Sequence, residues 1–312
     1  MLSRVAHSIY WMNRYIERAE NYARFIDVNY NLSLELHPDV SEQWKPLVVT
    51  TGDWSHYESL YETADKIKVL YFLGFDVENP NSMFNSIVNA RENARIIRPE
   101  ITKEVWEQIN ALYYLVKAGR EKKIWKKKDP RNFFMEIKKG CQLLYGTFDT
   151  TISRTEGWHF GKIGQLIERA DKTSRVLDVK YHILLPNPAP VGSPLDIMHW
   201  TALLKSVSAY DMYRRKNGKL TPYGISEFLV LDKNFPRSIL SCLMYTEISL
   251  HAITGSGEGD LNIAEKKLGM LKSQLKYADI EGIFGQGLHE YLDDFQKKLN
   301  DVAQAIFETY FK

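Results

Sequence analysis

Cysteine is scarce in this sequence, with only Cys141 and Cys242, each inside a stretch of helical pattern. Two thiols cannot build the disulfide framework of a small secreted scaffold, and a reducing cytoplasm leaves such residues as small buried hydrophobes. No apolar run approaches the roughly 20 residues of a membrane-spanning helix. The opening Met1-Leu2-Ser3-Arg4 runs into a charged amphipathic pattern and lacks the apolar stretch and small-residue cleavage site of a signal peptide. A cytoplasmic protein without membrane association is therefore expected. Charge of one sign is also missing: 41 Lys and Arg face 39 Asp and Glu, a net of +2, so nothing global draws the chain to nucleic acid. The strict alternation that strands require is scarce.

What is present is helical periodicity over nearly the whole of 312 residues, of which 44% are hydrophobic and 26% charged, an ordinary globular balance. The expected fold is all-α, a multi-helix bundle with two related halves carrying a duplicated charged helix. Helices are predicted at 3–36, 56–72, 81–97, 101–119, 131–153, 157–185, 194–216, 221–231, 235–253, 260–278 and 286–311. Pro186, Pro188, Pro190 and Pro194 cannot continue a helix. That divides the chain into a first half at 1–185, holding both copies of the charged helix, a connector at 186–194 and a C-terminal half at 195–312, unless all of it is one domain.

An internal repeat is the strongest signal. Residues 14–30 match 165–181 through Ile, Glu, Arg, Ala, Arg, Asp, Val and Tyr at a constant register, since Glu17 and Glu168, Arg24 and Arg175, and Asp27 and Asp178 are each 151 apart. A looser echo pairs Ser86-Ile87 and Arg95 with Ser206-Val207 and Arg215.

At about 100° per residue, Glu17, Glu20, Arg24 and Asp27 share one arc, as do Glu168, Asp171, Arg175 and Asp178. The apolar arc of Met12, Ile16, Ala19, Ala23 and Ile26 adjoins the first stripe, so these charges border the core, while Arg18 and Arg169 project toward a second neighbour or solvent. Desolvating a carboxylate costs several kcal/mol unless it is paired. One reading is a buried ion-pair network, Glu17 with Arg24 and Glu168 with Arg175 or crosswise between repeats. The other is a cleft whose Arg, Asp and Glu side chains meet an anionic or amino ligand.

Weaker candidates accompany these. Glu156-x-x-His159 occurs once, whereas a bundle di-iron site wants that spacing twice with two further glutamates, so no metal and no intrinsic cofactor is expected. The glycine-rich Gly255–Gly259 segment has no preceding strand and reads as an interhelical loop. Lys117, Arg120, Lys122, Lys123, Lys126, Lys127 and Lys128 surround Ile124 and Trp125, which suits an acidic partner or RNA, or a solvated helix end. No nucleophile set has a telling spacing.

Met1 to Asn29, with Tyr10-Trp11-Met12-Asn13-Arg14-Tyr15-Ile16-Glu17-Arg18-Ala19, and Gly164 to Tyr181 resemble the paired signatures of the bacterial alpha-E family. The likeness extends to Asn89-Ala90-Arg91-Glu92 with Arg95 and Arg98, to Trp106-Glu107, and to Glu227–Asp232 followed by Phe235-Pro236-Arg237-Ser238. It implies a helical protein found beside circularly permuted ATP-grasp proteins, transglutaminase-like peptidases and sometimes a proteasome-like peptidase, a setting of peptide or amide-bond synthesis and processing. ATP and Mg²⁺ would then enter through a partner ligase. Members commonly carry Arg where this chain has Gln165, the position matching Arg14. The expected site gathers Arg14, Glu17, Arg18, Glu20, Arg24, Asp27, Glu168, Arg169, Asp171, Arg175 and Asp178, with Asn89, Arg91, Arg95 and Arg237 secondary. The expected role is a non-catalytic or co-catalytic partner of an ATP-grasp-type ligase; an enzyme using a carboxylate base beside Arg, or a purely structural adaptor, is the alternative.

Overall fold

The computed structural model describes residues 1–35, 44–184, 192–256 and 262–312, with side chains described at 1–31, 44–178, 192–256 and 262–312. These residues form fifteen α-helices and no strand. The two long helices carrying the repeat, α1 (Ser3–Glu35) and α8 (Glu156–Leu184), pack along each other through the centre. Both are buried almost all round: Met12, Ile16, Ala19, Ala23 and Ile26 of α1 and Ile163, Ile167, Ala170 and Leu177 of α8 are each 1% exposed or less.

The remaining helices wrap this pair. α5 (Met83–Ile96) packs on α1, α6 (Lys103–Glu121) on α5, and α7 (Arg131–Thr151) on both α6 and α1, closing a ring of four. On the other side α12 (Ile239–Thr254) packs on α8, α13 (Ile263–Lys276) on α12, and α15 (Leu288–Tyr310) on α13 and α8, closing a second ring. Two helices cross between the rings, since α2 (Lys45–Thr51) lies against α8 and α9 (Pro194–Ser206) against α1. Short helices complete the chain: α3 (Trp54–Leu60), α4 (Lys66–Gly74), α10 (Tyr210–Asn217), α11 (Pro222–Leu231) and α14 (Ile280–Gln286).

Several predicted helices divide, each for a local reason. The stretch 56–72 becomes α3 and α4 because Asp65 caps α4, accepting from the Lys68 amide. The stretch 194–216 breaks at Ser208, whose φ of +54° leaves the helical region. α12 starts at Ile239, after Pro236, with Ser238 as its cap. The looser echo is not a structural equivalence, since Ser86 and Ile87 sit within α5 whereas Ser206 and Val207 end α9. The connector lies outside the described residues except for Gly192–Pro194, as does most of the Gly255–Gly259 segment.

Close approach of α1 and α8 depends on glycine. A Cβ built on Gly164 would stand 2.2 Å from the Tyr10 carbonyl oxygen, and one on Gly161 would stand 2.8 Å from Asn13 Nδ2 and 2.6 Å from Phe148 Cζ. At Gly164 the obstacle is backbone, which cannot turn aside. Gly164→Ala is therefore expected to cost about 1–3 kcal/mol through overpacking, despite alanine's better helix propensity. Urea unfolding of the variant checks this, and unchanged or raised stability would contradict the packing described.

Candidate functional site: a reciprocal glutamate-arginine lock

Where α1 crosses α8, the two copies of the Glu-Arg dipeptide exchange partners. Arg169 forks onto Glu17, with Nε to Oε1 at 3.0 Å and Nη2 to Oε2 at 2.8 Å. Arg18 forks onto Glu168, with Nε to Oε1 at 2.7 Å and Nη2 to Oε2 at 3.1 Å. Each glutamate thus meets the arginine of the other copy in the bidentate geometry that guanidinium and carboxylate share. Both glutamates are 0% exposed.

The exchange continues outward in the same register. Arg14 donates Nε to Glu168 at 3.0 Å, while its counterpart Gln165 reaches Glu17 at 3.4 Å. Asn21 Nδ2 lies 3.1 Å from Glu17, and its counterpart Lys172 lies 3.6 Å from Glu168. Arg24 pairs with Glu20 and Arg175 with Asp171, one helical turn apart in each copy. Arg175 also rests on Gly52, which closes α2 at a φ of +82°, and Arg24 donates to Ser208, just beyond the end of α9. Both guanidinium groups therefore sit at the C-terminus of a helix crossing from the other ring, where the helix dipole favours positive charge.

Symmetry is broken by Arg237, which enters from the segment before α12 and bridges Glu17 at 2.9 Å and Glu20 at 2.8 Å. Lys172 occupies the comparable place in the second copy, 3.0 Å from Asp171. Farther along, Asp27 and Asp178 leave the cluster, Asp27 lying 3.9 Å from Lys138 and Asp178 2.6 Å from His289 Nδ1, whose pKa that hydrogen bond raises.

Electrostatics follow from burial against pairing. Burial alone would raise the Glu17 pKa, but Arg169 and Arg237 outweigh it and hold the carboxyl below its usual range. Burial likewise opposes Arg18, Lys172 and Arg14 at Glu168, whose pKa ends well below normal, and Lys172 and Arg175 lower Asp171 in the same way. These groups stay ionised near neutrality as acceptors with no proton to exchange. The thiols are suppressed by the same burial: Cys141 is held well above its usual range and Cys242 is pushed up to about 12.

Of the residues expected in the site, α1 and α8 bring together Arg14, Glu17, Arg18, Glu20, Arg24, Glu168, Arg169, Asp171 and Arg175, with Arg237 at the centre of the cluster and not at its margin. The Glu17–Arg24 and Glu168–Arg175 pairings do not form, because seven residues span two turns and the acid one turn away is nearer. Arg18 and Arg169 face the opposite copy and not solvent, since the close crossing puts a partner beyond the seam's edge. Asn89, Arg91 and Arg95 stand apart on α5. Arg91 takes Asn110 of α6 at 2.7 Å and Arg95 pairs with Glu92 at 2.5 Å. Reasoning from single helices overlooked Asn21 and Lys172, both recoverable from the 151-residue register, and Asn81, which accepts from Arg18 at 2.7 Å and carries no sequence signal.

These features define a class: an all-helical protein organised around two Glu-Arg motifs that lock each other. The Alpha-E model, described as a predicted alpha-helical domain with a conserved ER motif, matches residues 1–311, and the chain belongs to that family. An uncharacterized protein of Mycobacterium bovis is 25% identical over 339 aligned residues, covering 98% of this chain and 36% of its own length. One from Mycobacterium tuberculosis is 24% identical with the same coverage. The chain thus spans about a third of the length of these relatives. No solved structure matches.

Because the lock's carboxylates have depressed folded pKa values, the stability they contribute is present above the unfolded carboxylate range near about 4 and is lost as pH falls toward the folded values. Melting temperature is expected to hold between about pH 5 and 7 and to drop steeply below about pH 4. Calorimetry across that range checks the sign, and a melting temperature unchanged down to about pH 3 would show that the carboxylates are not held as paired anions.

Proposed function

We propose that this protein is a non-catalytic helical partner in which the Glu-Arg lock fixes the arrangement of surfaces that other proteins read. One observation carries this: every acid of the central cluster is paired with Arg or Lys, with a side-chain exposure of 0–12%. A general base needs access to substrate and a pKa near the working pH; the burial of Glu17, Glu168 and Asp171 runs against the first and their depressed pKa values against the second. Among the described residues no group of three or more His, Cys, Asp or Glu is placed to hold a metal, and no helix is long and apolar enough to cross a membrane.

The partner is proposed from the family resemblance to be an ATP-grasp-type ligase, which would bring ATP and Mg²⁺, or a transglutaminase-like peptidase, with peptide or amide-bond chemistry carried by that partner. A cytoplasmic setting accords with the free, buried Cys141 and Cys242. A division between α7 and α8 is a second way to draw the two halves beside the expected boundary at 186–194, since one ring of four takes its helices from α1–α7 and the other from α8–α15.

Arg169→Ala and Arg237→Ala strand buried carboxylates and are expected to cost about 3–5 kcal/mol each. Support for the partner ligase should fall only in proportion to folded protein, measured by thermal unfolding beside a peptide-ligation assay. Variants that keep wild-type stability yet abolish that support would overturn the structural role and make the cluster a ligand site.

A further inference from the structure

Arg14 stands out within the lock. Glu168 already holds the Arg18 fork, with Lys172 at 3.6 Å, so Arg14 is its third cation. At the matching position beside Glu17 the chain uses the neutral Gln165. Across the cluster, four carboxylates (Glu17, Glu20, Glu168 and Asp171) meet seven cations among the described residues. Neutralising Glu168 does not require Arg14.

Its surroundings give the charge another use. Arg14 lines a cavity of about 200 Å³ between α1 and α15, walled by Trp11, Phe307 and Phe311. The guanidinium carbon lies 4.8 Å from the centre of the Trp11 ring, and the side chain is 13% exposed. Nε and Nη2 serve Glu168, and Nη1 serves the Tyr10 hydroxyl at 3.2 Å. Of five N–H donors, two are left without a protein acceptor among the described residues. Tyr10 of α1 and Asn300, Ala303 and Gln304 of α15 complete the lining, which contains no acidic side chain.

We propose that this cavity binds a small monocarboxylate with a flat apolar body, its carboxylate on the spare N–H groups of Arg14 and its ring among Trp11, Phe307 and Phe311. A guanidinium takes carboxylate or phosphate equally well, but aromatic walls reward a ligand that buries apolar surface, which a hydrated phosphate does not. At about 200 Å³ the cavity is smaller than the usual ligand pocket of about 300–1,000 Å³, which restricts its occupant to a small molecule. This site is independent of the proposed partnership, and its failure would leave the lock as described.

The probe is benzoate, titrated calorimetrically into the full chain beside benzamide, acetate and inorganic phosphate. Saturable benzoate binding is expected, with benzamide, acetate and phosphate each weaker by about tenfold or more. Ala303→Phe fills the cavity while leaving Arg14 and Glu168 unmutated, and is expected to weaken benzoate by about tenfold while keeping the wild-type near-ultraviolet dichroism. Arg14→Gln, which copies the chain's own solution at Gln165, should weaken it as much. Absence of saturation up to about 20 mM, equal binding of benzamide or phosphate, or binding that survives Ala303→Phe would overturn the proposal.

Discussion

Two fully buried carboxylates, Glu17 and Glu168, set the terms for the rest of the molecule. Removing each from water costs several kcal/mol after relaxation, and only well-aligned partners offset it. Neither glutamate pairs with the arginine beside it in its own dipeptide, since successive residues on a helix diverge by about 100° and each arginine reaches the glutamate of the other copy instead. The exchange between copies resolves this, as each helix supplies the cation that the other requires. Neither α1 nor α8 can be buried to this extent alone, so the pairing ties the two rings together.

Geometry then constrains the backbone. Bidentate forks at 2.7 to 3.1 Å require the helices to come close, and Gly161 and Gly164 are the residues that let them. Interior glycines cost a helix about 1 kcal/mol each relative to alanine, so the seam sacrifices helix propensity for contact. The apolar packing around it supplies bulk stability, since fully burying a side chain such as Ile16 or Leu177 is worth roughly 1.5–3 kcal/mol. Specificity of the crossing is what the charged pairs add, because sliding one helix along the other would leave several buried charges without partners.

The sequence revealed the long helices well, since their periodicity and flanking prolines are local. Predictions at 3–36, 157–185 and 221–231 fall within a residue of Ser3–Glu35, Glu156–Leu184 and Pro222–Leu231. The break at Ser208 was hidden because neither glycine nor proline marks it, and α2 because seven residues show too little periodicity. The repeat located the ion-pair cluster and the charged arc identified most of its members. The projections of Arg18 and Arg169 could not be completed from one helix, because their direction acquires meaning only when the opposite copy is in place. Arg237 was suggested by family resemblance alone, and its bond to Glu17 joins residues 220 positions apart.

The central claim is that each Glu-Arg motif is completed by the other copy and not by itself. Double-mutant cycles on stability separate these directly, using Glu17→Gln with Arg169→Gln against Glu17→Gln with Arg18→Gln. Residues that share an ion pair couple by about 0.5–3 kcal/mol. Coupling at the upper end of that range is expected between Glu17 and Arg169, 152 residues apart, and distinctly less between the adjacent Glu17 and Arg18. Stronger coupling within the dipeptide than across the copies would contradict the account.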